Sequence, residues 1–286
     1  MRTERSEGLV PAPGAAGIWR AGADAGAPLV LVHGIRLSAL MWDPHARRLG
    51  TRFRITAPDL PGHGSLRGGG PFRLEEAVER VGAAVEEATR ATGRRPLVAG
   101  ASLGGYVALA YGAAHPDTAA GLLVQGSTAR PDGPAGLVYR ATARAFAALG
   151  PDRAARLNAR AFRRGLPPES CEAVLRGGLA MPAFGEAVAE LVRQDFLAVA
   201  GRCRLPVLFV NGRGDRLFRT AEREFTAAAR AAGGGARLCH VDGGHLMSLT
   251  DPETFARILV RGRELLAAAA PEAFAGQDHA GGPAPA

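Results

Sequence analysis

Short apolar runs alternate with longer segments of helical periodicity along most of the chain. The apolar runs lie at residues 28–33, 53–59, 96–101, 120–125, 206–211 and 236–241. Helical periodicity covers residues 39–49, 75–92, 103–114, 220–232 and 251–269. Such alternation is typical of βαβ units, in which both faces of the sheet are covered by helices. The pattern therefore predicts an α/β fold with a mostly parallel central sheet flanked by helices.

The alternation is interrupted once, between the fourth and fifth apolar runs. The residues there have helical periodicity and no strand pattern, and they are too regular for a loop. We interpret residues 134–202 as a helical lid over the carboxyl edge of the sheet, where ligands of open α/β sheets bind. The α/β core then comprises residues 28–133 and 203–270.

The two ends of the chain have different compositions from the core. Residues 1–27 are predicted to be an N-terminal extension with possible short edge strands. Residues 271–286 are small, polar and proline-containing, and we expect a disordered tail.

Charge and cysteine content narrow the expected partners. The net charge is +8, but every basic residue is arginine and the arginines are spread without a dense cluster. We therefore expect no nucleic-acid partner. No run approaches the roughly eighteen apolar residues of a membrane helix, and no export signal is visible, so no membrane association is expected. Three distant cysteines suit a reducing compartment, and we expect a cytoplasmic protein.

The segment "GASLG" places Ser102 midway between Gly100 and Gly104, after an apolar run and before a helical segment. In a chain with 39 glycines this spacing carries little information by itself. The strand-to-helix context matches a nucleophile elbow, in which a strained turn exposes a serine hydroxyl. The start of the following helix also supplies free N–H groups, so Leu103 is a candidate oxyanion donor.

Five segments together resemble the α/β-hydrolase family, across roughly residues 28–266. They are "LVLVHGIRLSALMW", "DLPGHG", "GASLGG", "VNGRGD" and "DGGHL". The resemblance implies a catalytic triad in the chain order Ser, Asp, His. It also implies that the backbone N–H of Ile35 is the second oxyanion donor.

His245 is the predicted general base, because it follows the last strand on a glycine-bearing loop before the final helix. Asp215 is the predicted acid, since it appears four residues after the run 206–211. Asp132 is an alternative, because this family can place the acid after either of two strands, and Asp242 is a further one.

These residues predict a cofactor-free serine hydrolase that cleaves a carboxylic ester of a small apolar molecule through an acyl-enzyme. Thioesterase, lactonase, C–C bond hydrolase and haloperoxidase-like activities use the same triad and stay open, as does a non-catalytic binding protein on this fold. No metal or cofactor motif is visible. The oligomeric state is left open.

The lid is expected to line an apolar substrate pocket. Arg36, Phe184 and Phe196 are the candidate substrate-binding residues; Arg36 either meets a substrate carboxylate or is solvated or paired within the protein. The residues expected to point inward are Leu137, Phe146, Leu149, Phe162, Leu179, Met181, Phe184, Leu191 and Phe196.

Overall fold

The computed structural model describes residues 7–275, which contain an eight-stranded sheet. The strands are β1 (Val10–Pro11), β2 (Ile18–Gly22), β3 (Ala27–Val32), β4 (Phe53–Pro58), β5 (Leu97–Ala101), β6 (Gly121–Gln125), β7 (Val207–Gly212) and β8 (Ala236–Val241). Their order across the sheet is β1-β2-β4-β3-β5-β6-β7-β8. Strands β3–β8 are parallel, and they coincide to within one residue with the six predicted runs. The prediction of a mostly parallel sheet is confirmed.

Helices surround this sheet and occupy the connections between strands β3 to β8. They are α1 (Asp43–Leu49), α2 (Leu74–Thr92), α3 (Leu103–Ala114), α4 (Pro134–Leu149), α5 (Pro151–Gly165), α6 (Pro168–Gly177), α7 (Met181–Leu191), α8 (Phe196–Ala200), α9 (Glu222–Ala231), α10 (Met247–Thr250) and α11 (Pro252–Ala269). A short 3₁₀ helix, Ala39–Trp42, precedes α1.

The central strands are buried on both faces, which explains their continuous apolar sequences. Within β3, Val30 packs into a core with α2, α3 and α9, whereas Leu29 and Leu31 pack into a second core with α1 and α11. This division follows from the two-residue side-chain period of a strand. The two cores enclose β3 and β5 at the centre of the sheet, and the carboxyl end of β5 lies beside that of β6.

Helices α4 to α7 lie between β6 and β7 and pack against one another, while α6 also contacts the 3₁₀ helix Ala39–Trp42. Helix α8 differs, because it packs on α3 and α9 beside the sheet. The segment interpreted as a lid, residues 134–202, therefore contains one helix that is part of the packed core.

The ends of the described chain are both attached to the core. Strands β1 and β2 run antiparallel at the edge of the sheet, next to β4. The predicted disordered tail is wrong at its start, because Pro271–Phe274 form a 3₁₀ helix and Phe274 is buried in the core with α11. Residues 276–286, the rest of that predicted tail, and residues 1–6 lie outside the described part of the chain.

Candidate active site

Ser102 lies in the sharp turn between β5 and α3. Its backbone has φ 55° and ψ −119°, a strained conformation for a residue with a side chain. The flanking glycines are required by close approach of backbone atoms. A Cβ on Gly104 would collide with the carbonyl oxygens of Val32 and His33, and one on Gly100 would collide with that of Gly104. The local sequence thus permits a turn that presents the Ser102 hydroxyl at the carboxyl edge of the sheet.

A continuous hydrogen-bonded chain joins three residues from three loops. The Nε2 atom of His245 lies 3.0 Å from the Oγ atom of Ser102, and its Nδ1 atom lies 2.8 Å from Oδ2 of Asp215. Asp215 is buried, and its Oδ1 accepts a hydrogen bond from the Phe218 backbone N–H. With Nδ1–H donated to the carboxylate, Nε2 is free to accept the serine proton.

The other two candidate acids lie elsewhere. Asp132 pairs with Arg130, and Asp242 pairs with Arg213 with its side chain almost entirely exposed. Of the three carboxylates considered from the sequence, the structure brings Asp215 to the imidazole.

Two aromatic rings stack beside the imidazole, a feature that the sequence analysis missed. The Phe218 ring lies nearly parallel to the His245 ring, with centroids 3.6 Å apart. Tyr139, on α4, stacks on the Phe218 ring, with the two centroids 5.4 Å apart. Because Phe218 lies flat against the imidazole, it restricts rotation of that ring and helps to hold it between the serine and the carboxylate. Nothing in the sequence around Phe218 distinguishes it from an ordinary loop phenylalanine.

The two predicted oxyanion donors both line the cavity that contains Ser102. Leu103 is the first residue of α3, and Ile35 lies on the loop after β3. Among the described residues, neither backbone N–H has a hydrogen-bond acceptor. Both groups are therefore available to an oxygen that develops negative charge beside Ser102.

Two buried histidines brace the loop that carries Ile35. His33 donates from Nδ1 to the Gly34 carbonyl and accepts the Leu60 N–H at Nε2. His63 donates from Nδ1 to the Pro61 carbonyl, and its Nε2 accepts the Arg36 N–H. Burial lowers the pKa of both rings, to about 3 for His63, so both remain neutral and keep these roles.

A third histidine, His45, is also buried, and its burial leads us to predict that the protein loses stability in acid. Its ring packs against Trp42 and Phe255, and burial together with the Arg48 charge lowers its pKa to about 3. The unfolded histidine has a pKa near 6.5, so below that pH the unfolded chain binds more protons than the folded one. As the pH is lowered below about 6.5, the free energy of unfolding therefore falls by up to about 1.4 kcal/mol per pH unit for each such histidine.

We expect His45→Phe to lower by about one the number of protons that the chain takes up on unfolding in acid, and so to flatten this pH dependence. The measurement is urea unfolding at several pH values between 7.5 and 5, with the exposed His115→Gln as the matched control. An unchanged slope in His45→Phe would contradict the assignment, whatever the variant does to stability at pH 7.5.

A cavity of about 300 Å³ lies against Ser102 and His245. Its walls are mostly apolar, with Phe162, Phe184 and Leu191 contributed by the predicted inward-facing set. That set also contains errors, because Leu137 and Leu149 are exposed to solvent. Additional lining residues that the sequence analysis did not select are Val138, Tyr139, Thr142 and Val188.

The candidate substrate-binding residues separate in the structure. Phe184 and Arg36 line the cavity, whereas Phe196 does not. Phe196 is fully buried on α8, and its ring packs on Tyr106, with centroids 4.6 Å apart. The prediction that Phe196 binds substrate is wrong, because α8 packs on α3 and α9 and buries this side chain in the core.

Within residues 7–275, no group of three or more His, Cys, Asp or Glu side chains is arranged to hold a metal ion. In the same part of the chain, no helix combines the length and apolar character needed to cross a bilayer.

A serine at a strained turn above a parallel sheet, hydrogen-bonded to a histidine that is itself hydrogen-bonded to a buried carboxylate, is the arrangement of a serine hydrolase site. Comparison with known proteins agrees with this class. A family model described as the alpha/beta hydrolase family matches residues 29–258. The chain belongs to the alpha/beta hydrolase family.

Solved structures share the fold along most of the chain. E-2-(acetamidomethylene)succinate hydrolase aligns with a TM-score of 0.69 at 18% identity, covering 86% of this chain and 94% of that one. A thermophilic esterase from Thermogutta terrifontis aligns with a TM-score of 0.67 at 24% identity, covering 92% and 99%. At these identities the likeness shows the fold alone.

Curated relatives carry the name pimeloyl-[acyl-carrier protein] methyl ester esterase. The protein from Sodalis glossinidius is 42% identical over 102 residues, which is 36% of this chain and 37% of that protein. The protein from Nitrosomonas europaea is 30% identical over 214 residues, 66% of this chain and 78% of that protein. The chain spans between about a third and a half of the length of the first four curated relatives it matches.

Proposed function

We propose that the chain is a serine hydrolase that cleaves a carboxylic ester of a small, largely apolar molecule through an acyl-enzyme. The observation that carries this proposal is the hydrogen-bonded chain from Asp215 through His245 to Ser102, which ends in an apolar cavity. The names of the curated relatives, which are methyl ester esterases, support an ester over the other bonds that this triad can cleave.

Each chemical step has a residue to perform it, without a cofactor. His245 removes the proton from Ser102 as the hydroxyl oxygen attacks the ester carbonyl, and the resulting oxyanion accepts hydrogen bonds from the N–H groups of Leu103 and Ile35. His245 then returns the proton to the leaving alcohol. Asp215 orients the imidazole and stabilises its charged form. Water, activated by the same histidine, releases the acid and restores the serine.

Thioesters, lactones, ketone-adjacent C–C bonds and haloperoxidase-like chemistry remain alternatives. A panel of p-nitrophenyl esters, acyl-CoA thioesters, lactones and vinylogous 1,5-diketones tests the proposal. We expect the highest kcat/KM within the carboxylic esters. Preferential cleavage of another group would replace the proposed bond type.

The shape and polarity of the cavity predict a dependence on acyl chain length. Each methylene buried in the cavity contributes about 0.8 kcal/mol, or roughly fourfold in kcat/KM. For straight-chain p-nitrophenyl esters, kcat/KM should therefore rise from acetate to a medium length and then fall when the cavity is full.

Phe184→Ala enlarges the cavity and should move this optimum to a longer chain. The exposed Leu157→Ala, on α5, is the matched control and should leave the optimum in place. A flat or steadily falling series in the wild-type protein would show that the cavity does not accept the acyl group.

A further inference from the structure

The cavity next to Ser102 contains one permanently charged side chain, that of Arg36. Among the described residues that line it there is no Asp or Glu. The guanidinium lies over two aromatic walls, with its central carbon 5.5 Å from the Phe162 ring centroid and 5.8 Å from that of Phe184. The positive charge is thus at the surface of an apolar chamber rather than in open solvent.

This guanidinium has no counter-ion within residues 7–275. None of the ion pairs there includes Arg36, and its Nε–H is buried without an acceptor. Burial lowers its pKa to about 10, which still leaves it cationic at neutral pH. Buried charges in proteins are normally paired, because an unpaired charge loses its hydration without compensation. Arg36 therefore places a cation at the cavity that is not neutralised by a carboxylate of the described residues.

The backbone of Arg36 is held in an unusual conformation. In the described chain, Arg36 and Ser102 are the two non-glycine residues with positive φ, 59° at Arg36. Its N–H donates to His63, and its carbonyl accepts the N–H of Ala180, between α6 and α7. Glycine would adopt this conformation with less strain. An arginine at this position directs a charged side chain from a fixed backbone into the cavity.

We propose that Arg36 is an anion subsite and that the substrate is an ester bearing a free carboxylate, such as a half-ester of a dicarboxylic acid. The inference rests on the proposed function, since it assigns a substrate class to the same cavity. A guanidinium binds the two oxygens of a carboxylate through parallel hydrogen bonds. A carboxylate also matches the single cation, whereas a phosphate monoester would bring close to two negative charges into a mostly apolar chamber.

The first test compares two esters that differ in one charge. Ethyl hydrogen adipate carries a terminal carboxylate, and ethyl adipamate carries a neutral amide of similar shape. We expect wild-type kcat/KM to be about 10- to 100-fold higher for the carboxylate, in line with a hydrogen bond to a charged group. Arg36→Gln should remove this preference, and Arg36→Lys should retain part of it. The readout is the ratio of kcat/KM for the carboxylate ester to kcat/KM for the amide ester. A general loss of activity in a variant lowers both values and does not change this ratio.

Arg153→Gln is the matched control, because it removes the same charge from an exposed position on α5. It should leave the ratio unchanged. A wild-type ratio near one, or an equal ratio in wild type and Arg36→Gln, would overturn the anion subsite while leaving the esterase proposal intact.

A binding measurement decides the subsite even if neither ester is cleaved. Calorimetric titration of ethyl hydrogen adipate into Ser102→Ala, with and without Arg36→Gln, reports affinity in the absence of turnover. We expect the dissociation constant to rise about 10- to 100-fold when Arg36 is replaced. Equal dissociation constants would overturn the inference. If the affinity depended on Arg36 but the wild-type protein cleaved neither ester, the proposed reaction would be overturned and the anion subsite would be retained.

Discussion

Ser102→Ala should lower kcat for ester hydrolysis by about 10⁶, the size of effect seen when the nucleophile of a serine triad is removed. The acyl-enzyme cannot form without the hydroxyl oxygen, and the remaining oxyanion donors and cavity supply only residual catalysis. In the described chain the Ser102 hydroxyl makes one hydrogen bond, to His245. We therefore expect the melting temperature to change little. The measurements are the rate with p-nitrophenyl esters and covalent labelling by a fluorophosphonate probe.

The matched control is Ser170→Ala, which removes another buried serine hydroxyl, from α6 and outside the cavity. The Ser170→Ala protein should react with the fluorophosphonate probe and hydrolyse the p-nitrophenyl esters as the wild type does. Absence of labelling in the folded wild-type protein would support the non-catalytic binding protein instead. A large fall in the melting temperature of Ser102→Ala would show that the hydroxyl is structural.

Asp215→Asn should lower kcat by about 10⁴. An amide at this position can donate to the imidazole Nδ1 and thereby favour the tautomer that carries its proton on Nε2, so the ring can no longer accept the serine proton. The substitution also removes the negative charge that stabilises the imidazolium. The variant should fold, because an amide keeps the size of the side chain. The rate is measured at saturating ester, with circular dichroism as the check on folding.

Asp132→Asn provides the control for Asp215→Asn, since it makes the same chemical change at a carboxylate that pairs with Arg130. It should leave kcat within about twofold, as expected for a pair at the protein surface. If Asp132→Asn abolished turnover and Asp215→Asn did not, the acid would have been assigned to the wrong loop.

Local pattern was sufficient for the six parallel strands and, in its strand-to-helix context, for the elbow. The strands β3 to β8 could be predicted because strands buried on both faces need continuous apolar residues, and that requirement is visible within a few positions. The glycines around Ser102 were informative only with the strand before them and the helix after them, the context in which backbone atoms come close to Gly100 and Gly104.

Side chains in the insertion were harder to place. Phe184 and Phe196 look alike in sequence, on apolar faces of neighbouring helical segments. They separate only because α7 packs with α4 over the cavity, whereas α8 packs on α3 and α9. Burial in a core and exposure to a cavity require the same residue types, so hydrophobic periodicity cannot distinguish them.

The sequence by itself determined the α/β class and the positions of the sheet-forming segments along the chain. It also determined the short lists from which Ser102, His245 and Asp215 were chosen. Tertiary structure decided which members of those lists meet. The bonds from His245 join residues 143 and 30 positions apart, and the rings of Tyr139 and Phe218 come from separate connections. It also decided that Arg36 lies on an apolar cavity without a carboxylate beside it. Whether a charge is paired depends on every element packed around it, which no local segment encodes.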